Sequence, residues 1–330
     1  MNGRTENEGE KNALNIANEA VPERKAAKKR APRIRKGDRE LSLLALPSVL
    51  YIFVFSYLTM FGVAIAFKNY RYDMGILGSE WVGFANFKFF FISEKAFIVT
   101  RNTVLYSLWF WVVTTLCALL VAILLNEVSR RWSKYYQTVM FLPTFVSWVV
   151  VMFLTQMFLH HDFGFVNRAL QDLGLERVRW YLELSHWPAI LTLAHLWKSI
   201  GFSALVYYAG IVAIDPSYYE AARIDGATRF QMARKITLPM LTPLIVILMI
   251  MAIGSMFRGD FGLHFFVPNN SPLLFNVTDI IDTFVYRALA VSGDVAMAAA
   301  VGLYQSVVGF VLVVAANYTI RKISEENSLW

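Results

Sequence analysis

The sequence predicts an all-α, polytopic membrane protein with six transmembrane helices. Three observations lead there. The 330 residues are 57% hydrophobic, with a mean hydropathy of +0.47, where a soluble domain is roughly 45–50% apolar. Six apolar runs reach about the 20 residues that a bilayer helix needs. The polar segments between those runs alternate in Lys and Arg content, as they do when the basic segments stay inside.

The elements follow in chain order. Residues 1–40 form a basic tail holding 11 of the 31 Lys and Arg, most of them between Lys25 and Lys36. Such a tail ahead of an apolar span acts as a topology determinant near anionic lipid headgroups. That placement accounts for the net charge of +7 without nucleic acid. So long a polar lead, and so long a first run, do not make the pattern of a cleavable signal peptide. The apolar runs cover residues 41–67, 103–125, 139–159, 189–214, 238–257 and 296–320. Pro143, Pro239 and Pro243 interrupt or border the third and fifth, which neighbouring helices can accommodate.

With the N-terminus inside, the inner segments 1–40, 126–138, 215–237 and 321–330 carry 20 Lys and Arg in 86 residues. The outer segments 68–102, 160–188 and 258–295 carry 10 in 102. Both termini are therefore expected in the cytoplasm, with residues 41–320 as the transmembrane domain and 321–330 as a short inner tail. The aromatic stretch WVGFANFKFFF at 81–91 reads as an amphipathic segment at the outer interface, as a docking surface for an external partner, or as both. The single cysteine, Cys117, lies inside an apolar run, so neither an intrachain disulfide nor a Cys-based metal site is expected.

The polar stretch 215–237 between the fourth and fifth runs carries the densest signals. Asp215-Pro216 offers a helix cap followed by proline at the first helical position, and Ser217 with Glu220 offers an overlapping capping box. A short helix should run to Ile224. Asp225-Gly226 should end it, because glycine accepts the left-handed backbone. Thr228 can cap a second helix beginning at Arg229. Ala221 and Ala222 are small enough for another surface to approach the backbone closely. The expected product is a stiff elbow between two spans.

IDPSYYEAARIDGAT (214–228) and ITLPMLTPLI (236–245) resemble the coupling loop of permease subunits in bacterial ABC sugar importers of the maltose type. WVGFANF (81–87) resembles that family's first outer loop. TDIIDTFVYRAL (278–289) and AVGLYQSVVGFVLVVAAN (300–317) resemble a subgroup related to alginate- and pectin-fragment permeases. The likeness covers roughly residues 40–325. It implies the type I importer permease fold and a bacterial inner-membrane location. It also implies three kinds of partner: a second permease subunit forming a heterodimer, two ATPase subunits that hold ATP and Mg, and an external solute-binding protein delivering an oligosaccharide. Ser217, Glu220, Ala221, Ala222, Asp225, Gly226, Thr228 and Arg229 would then be the residues that couple to the ATPase. The chain departs from the maltose permease pattern in lacking a large inserted outer domain, since its longest outer segment has 38 residues.

The sequence contains no G-x-x-x-x-G-K-[ST] phosphate loop, so the chain is expected to be no enzyme and to bind no cofactor of its own. Ionisable residues inside spans are costly and usually face a cavity or a partner. Lys198 sits about nine residues into the fourth span, roughly 14 Å deep at 1.5 Å per residue. His195, Ser199 and Ser203 recur beside it at four-residue spacing, and Trp197 and Tyr208 are near. This face suits a saccharide, an acidic one included, but Lys198 can equally pair with a carboxylate or helix end of a partner. Tyr304, Gln305 and Ser306 in the sixth span read as pathway residues or as interhelical contacts. Arg258 and Asp260 read as a gate or a local ion pair. Two other readings stay open: an importer permease for a non-sugar solute, and a membrane-embedded enzyme such as a lipid-linked glycosyltransferase. The second lacks a visible acid–base pair or metal-ligand cluster.

Overall fold

The computed structural model describes residues 36–323; the stretches through residue 35 and from 324 on, which hold most of the two expected terminal tails, lie outside the described residues. The described residues divide into two units, one through Met60 and one from Phe61. In the first, helix α1 (Lys36–Ile52) carries Pro47 and passes into a π-turn at Phe53–Tyr57. Thr59 Oγ1 donates back to Phe55 O at 2.9 Å, which satisfies its hydroxyl within the helix. A tight 3-10 stretch, Leu58–Phe67, completes the apolar run.

The second unit begins at Phe61, within that stretch, and continues into a two-stranded antiparallel ribbon, β1 (Lys68–Asn69) on β2 (Glu80–Trp81), with the one-turn helix α2 (Gly75–Gly78) between them. Phe67 stacks on Trp81 at 5.7 Å and meets Phe84 edge-on. Asn86 Nδ2, on α3 (Ala85–Ile92), donates to Ala66 O and Lys68 O. The aromatic stretch is thus folded onto Ala66–Lys68, within the second unit.

The centre of the unit is the pair α4 (Glu94–Glu127) and α8 (Trp187–Val212), its most extensive helix contact. Ser93 caps α4 by accepting from Ala96 N at 3.3 Å, and Glu94 complements the dipole of the first turn. Ala118, Ala122 and Ala204 are buried where the two helices meet; small residues let membrane helices approach closely. Between α4 and α8 come α5 (Arg130–Phe141), α6 (Trp148–Leu159) and α7 (Phe165–Asp172). After α8 come α9 (Pro216–Ile224), α10 (Arg229–Met232) and α11 (Leu238–Ser255). The chain closes with α12 (Phe261–Phe266), α13 (Phe275–Thr278), α14 (Ile281–Ala290) and α15 (Val295–Ile323).

Among the described residues, five helical stretches are long and apolar enough to cross a bilayer: Glu40–Phe67, Glu94–Glu127, Leu184–Val212, Arg229–Ser255 and Val295–Thr319. The sixth expected span is not one rod. It falls on the pair Arg130–Phe145 and Trp148–Leu159, bent by 96° at a short break. Pro143 cannot donate to the ladder, Leu142–Phe145 tightens to a 3-10 turn, and Ser147 starts a new helix by accepting from Val150 N. The apolar pattern runs straight across this break, so hydropathy alone places a single span there.

The segment 258–295 is stitched to α4. Asn102 Nδ2 donates to Asp279 O and Asn276 O, Tyr106 OH donates to Val277 O at 2.8 Å, and Thr103 Oγ1 accepts from Ile281 N at 2.9 Å. Arg287 pairs with Asp279 and lies 4.1 Å over the Phe275 ring.

Candidate functional site

Two features stand out, a groove among the spans and an elbow at one end of them. The groove has a volume of about 400 Å³ and is half-open. Helix α8 supplies one wall. His195, Ser199, Ser203 and Tyr207 follow each other at four-residue intervals and all line it; that spacing keeps them on one helix face. Helix α4 supplies a second wall through Ser107, Phe110, Trp111 and Thr114, again at spacings of three and four. Ser255, Arg258 and Asp260 close the end remote from the elbow.

The lining is chemically mixed. His195 stacks on Phe110 with ring centroids 4.2 Å apart and planes 8° from parallel. Among the described residues, three buried polar atoms lack a hydrogen-bond partner, and two of them, His195 Nδ1 and Thr114 Oγ1, belong to groove-lining residues. Unpartnered buried polar atoms are rare and call for a physical reason. Both residues line the groove, with these two atoms buried in its wall. Hydroxyls interleaved with aromatic faces are what a sugar ring needs, one for its rim and the other for its C–H face.

Lys198 lies one position off this stripe and is otherwise engaged. Its Nζ donates to Thr144 O at 3.0 Å and to Val146 O, and sits 5.2 Å from the Trp148 ring. Thr144 Oγ1 returns a bond to Lys198 O at 3.0 Å. These are the carbonyls at the break between α5 and α6, and the ammonium satisfies them. Gly201 permits the same approach, since a Cβ there would lie 1.8 Å from Met140 O. Trp197 is 44% exposed and outside the groove lining. Tyr208 faces α5 and receives Ser133 Oγ at 3.4 Å.

The sixth-span residues also lie apart from the groove. Tyr304 packs against Phe90, Phe91 and Phe257. Gln305 Nε2 donates to Phe257 O and to Asp282. Ser306 Oγ turns back to Gly302 O at 2.9 Å. Of the sequence-derived pathway residues, His195, Ser199 and Ser203 come together, joined by Arg258 and Asp260. The sequence reading missed Tyr207 and the whole α4 wall.

No ion pair joins Arg258 to Asp260 among the described residues. Asp260 instead caps α12, accepting from Leu263 N at 3.1 Å. Asp260 as a residue is exposed, yet desolvation by the surrounding protein raises its carboxyl above the ordinary range, against the Leu263 and Gly262 N–H groups, Lys198 and Trp148. His264 is fully buried, with Nδ1 2.8 Å from Thr278 O, so that nitrogen carries the proton; burial pushes its pKa down to about 4. No group of three His, Cys, Asp or Glu among the described residues is placed to hold a metal ion.

The elbow is built as its sequence dictates. Asp215, not the overlapping Ser217–Glu220 box, caps α9 by accepting from Ser217 N at 2.9 Å. That bond holds the Asp215 carboxyl below its ordinary value. At the far end Gly226 takes φ +77°. Ala227 N donates to Ala222 O and Gly226 N to Arg223 O, which is a Schellman ending. Thr228 and Gln231 exchange bonds in a capping box over α10. Two ties fix the elbow to the spans: Tyr219 OH with Thr237 Oγ1 at 2.9 Å, and Arg229 with Glu127 of α4 at 2.9 Å. The elbow leaves large apolar side chains uncovered. Ile224 is 87% exposed and Phe230 74%. Glu220, Ala221 and Asp225 are exposed beside them.

Comparison with known proteins shows the family. Residues 114–325 match the family model described as binding-protein-dependent transport system inner membrane component. Protein LplB of Bacillus subtilis (strain 168) is 36% identical over 292 residues, covering 88% of this chain and 91% of that protein. The polygalacturonan/rhamnogalacturonan transport system permease protein YteP of the same strain is 35% identical, covering 88% and 90%. Among solved structures, a chain of a bacterial ABC transporter involved in the import of the acidic polysaccharide alginate superposes with a TM-score of 0.80 at 33% identity. That match covers 88% of this chain and 97% of the other. The same kind of transporter, in complex with an alginate pentasaccharide-bound periplasmic protein, gives 0.79.

Proposed function

Because the chain belongs to the binding-protein-dependent transport system inner membrane component family, we propose that it forms half of the pathway through which an ATP-driven importer takes up an acidic oligosaccharide. A second permease subunit completes the half-open groove. Two ATPase subunits, holding ATP and Mg, bind the elbow, and an external binding protein delivers the sugar at the opposite end. The protein lies in the bacterial cytoplasmic membrane with both termini and the elbow inside, as the excess of Lys and Arg in those segments favours.

The observation that carries this reading is the elbow, a capped, tied and polar structure between two spans that exposes Ile224 and Phe230. Exposed large apolar side chains on an ordered loop mark a surface that another protein covers. Nucleotide-driven closure of the ATPase pair moves the elbow as a rigid body. Through Tyr219–Thr237 and Arg229–Glu127 the motion passes to α11 and α4, whose displacement opens the groove to one side and then the other. The groove's hydroxyls and aromatic faces favour a saccharide, and the names of the polygalacturonan and alginate relatives favour an acidic one. The test is co-purification: Ile224→Ser with Phe230→Ser should lose the ATPase subunits while the permease subunit still inserts. Retention of a full complement of ATPase by that variant would overturn the reading.

A further inference from the structure

The link between α11 and α12 is a fixed pedestal that carries one unused charge. Gln305 Nε2 donates to Phe257 O. Arg258 N donates to Ser255 O at 2.8 Å. Gly259 N donates to Asp282 Oδ2 at 2.8 Å, and Asp260 caps α12. At Gly259 the backbone passes close to Ile280, since a Cβ there would stand 2.4 Å from Ile280 Cδ1. The backbone of 257–260 is therefore held from both sides.

Arg258 is exposed on this pedestal and lines the groove beside His195, Ser199 and Ser203. Among the described residues no partner holds its guanidinium. The neighbouring acids are occupied elsewhere: Asp282 accepts from Gly259 N and Gln305, and Asp260 from Leu263 N. Lys198, the cation deep in α8, is turned to the carbonyls of the α5–α6 break. A planar guanidinium on a rigid base matches a carboxylate with two parallel hydrogen bonds, which a hydroxyl cannot reproduce.

We infer that Arg258 is the specificity-determining residue that takes the carboxylate of a uronate ring at the groove end remote from the elbow, while Ser199, Ser203 and Ser255 meet its hydroxyls. The inference rests on the groove being the pathway proposed above.

The experiment uses the complete transporter in proteoliposomes with its binding protein. The probes are galacturonate and mannuronate trisaccharides and their methyl esters, which keep the ring hydroxyls and lose the charge. Wild type should import the acids in preference to the esters. Arg258→Gln should raise the KM for the acids about 10- to 100-fold, the loss of a charge-assisted contact, and so erase the preference for acids over esters. Arg258→Lys should restore part of the loss. Ser203→Trp, which fills the groove, should block acids and esters alike. If Ser203→Trp transports normally, the groove is not the pathway. If Ser203→Trp blocks transport but Arg258→Gln affects acids and esters equally or neither, the groove stands and the role of Arg258 is overturned. Wild-type import of neither acid also overturns it.

Discussion

Replacing Lys198 with methionine separates a structural cation from a substrate-binding one. Methionine keeps the length and apolar stem of lysine and removes the ammonium. The structure assigns that ammonium to Thr144 O and Val146 O, at a break where the helix supplies no donor. A hydrogen bond from a charged donor is worth about 1.5–3 kcal/mol, and a buried carbonyl left without a partner costs about 1–3 kcal/mol. Some of that returns, because the charge no longer has to be held out of water and Trp148 can close on the methionine. A net destabilisation of about 3 kcal/mol is therefore expected, confined to the packing of α5 and α6 on α8. The assay is thermal unfolding of the purified complex in detergent, followed by fluorescence, with coupled uptake measured in parallel. Lys198→Met should unfold well below wild type, and Lys198→Arg should recover most of the difference. Its residual transport should fall by the same factor for acidic and neutral saccharides. Wild-type thermal stability together with a selective loss of acidic substrate would refute the reasoning and return Lys198 to the pathway.

Two further outcomes follow from the same geometry. Gly201→Ala should impair assembly although alanine is the better helix former by about 1 kcal/mol, because its Cβ would lie 1.8 Å from Met140 O; trypsin accessibility of the α5–α6 break should rise, and an unchanged digestion pattern would contradict the close contact. At the elbow, Ile224→Ser with Phe230→Ser should weaken ATPase binding about 100-fold, the effect of losing one to two buried apolar side chains, readable by titrating the purified ATPase subunit onto permease in nanodiscs.

The spans and the elbow were legible because their signals are local. Six apolar runs need only composition. The elbow needs only a cap, a glycine and a second cap, all within 215–228. The bend at the third span was half legible: Pro143 announced it, but the unbroken apolarity of 139–159 hid its size. The groove was legible in one stripe and lost at its end. His195, Ser199 and Ser203 continue by fours to Tyr207, not to Tyr208, and one residue is about 100° of rotation. The α4 wall carried the same kind of stripe in Ser107, Phe110, Trp111 and Thr114, drowned in the hydropathy of a 34-residue helix. Lys198 illustrates a different limit, since a lone charge in a span shows that it must be satisfied and not by what. Its partners lie 52 and 54 residues away. Those of Asn102 lie 174 and 177 away. No local pattern carries contacts at such separations.

Coupling through the elbow is tested most directly at Gly226. Its φ of +77° lies where other residues are strained, yet nothing stands within 4 Å of a Cβ built there. Alanine should therefore cost only about 1–2 kcal/mol. Proline, whose φ is fixed near −65° and which lacks the N–H given to Arg223 O, cannot form the bend at all. The measurement is ATP-dependent uptake by reconstituted transporter carrying Gly226→Ala or Gly226→Pro, beside the ATP hydrolysis that cargo-loaded binding protein stimulates. The alanine variant should retain most uptake, and the proline variant should insert normally but import nothing and lose the stimulated hydrolysis. Wild-type uptake by Gly226→Pro would contradict the account.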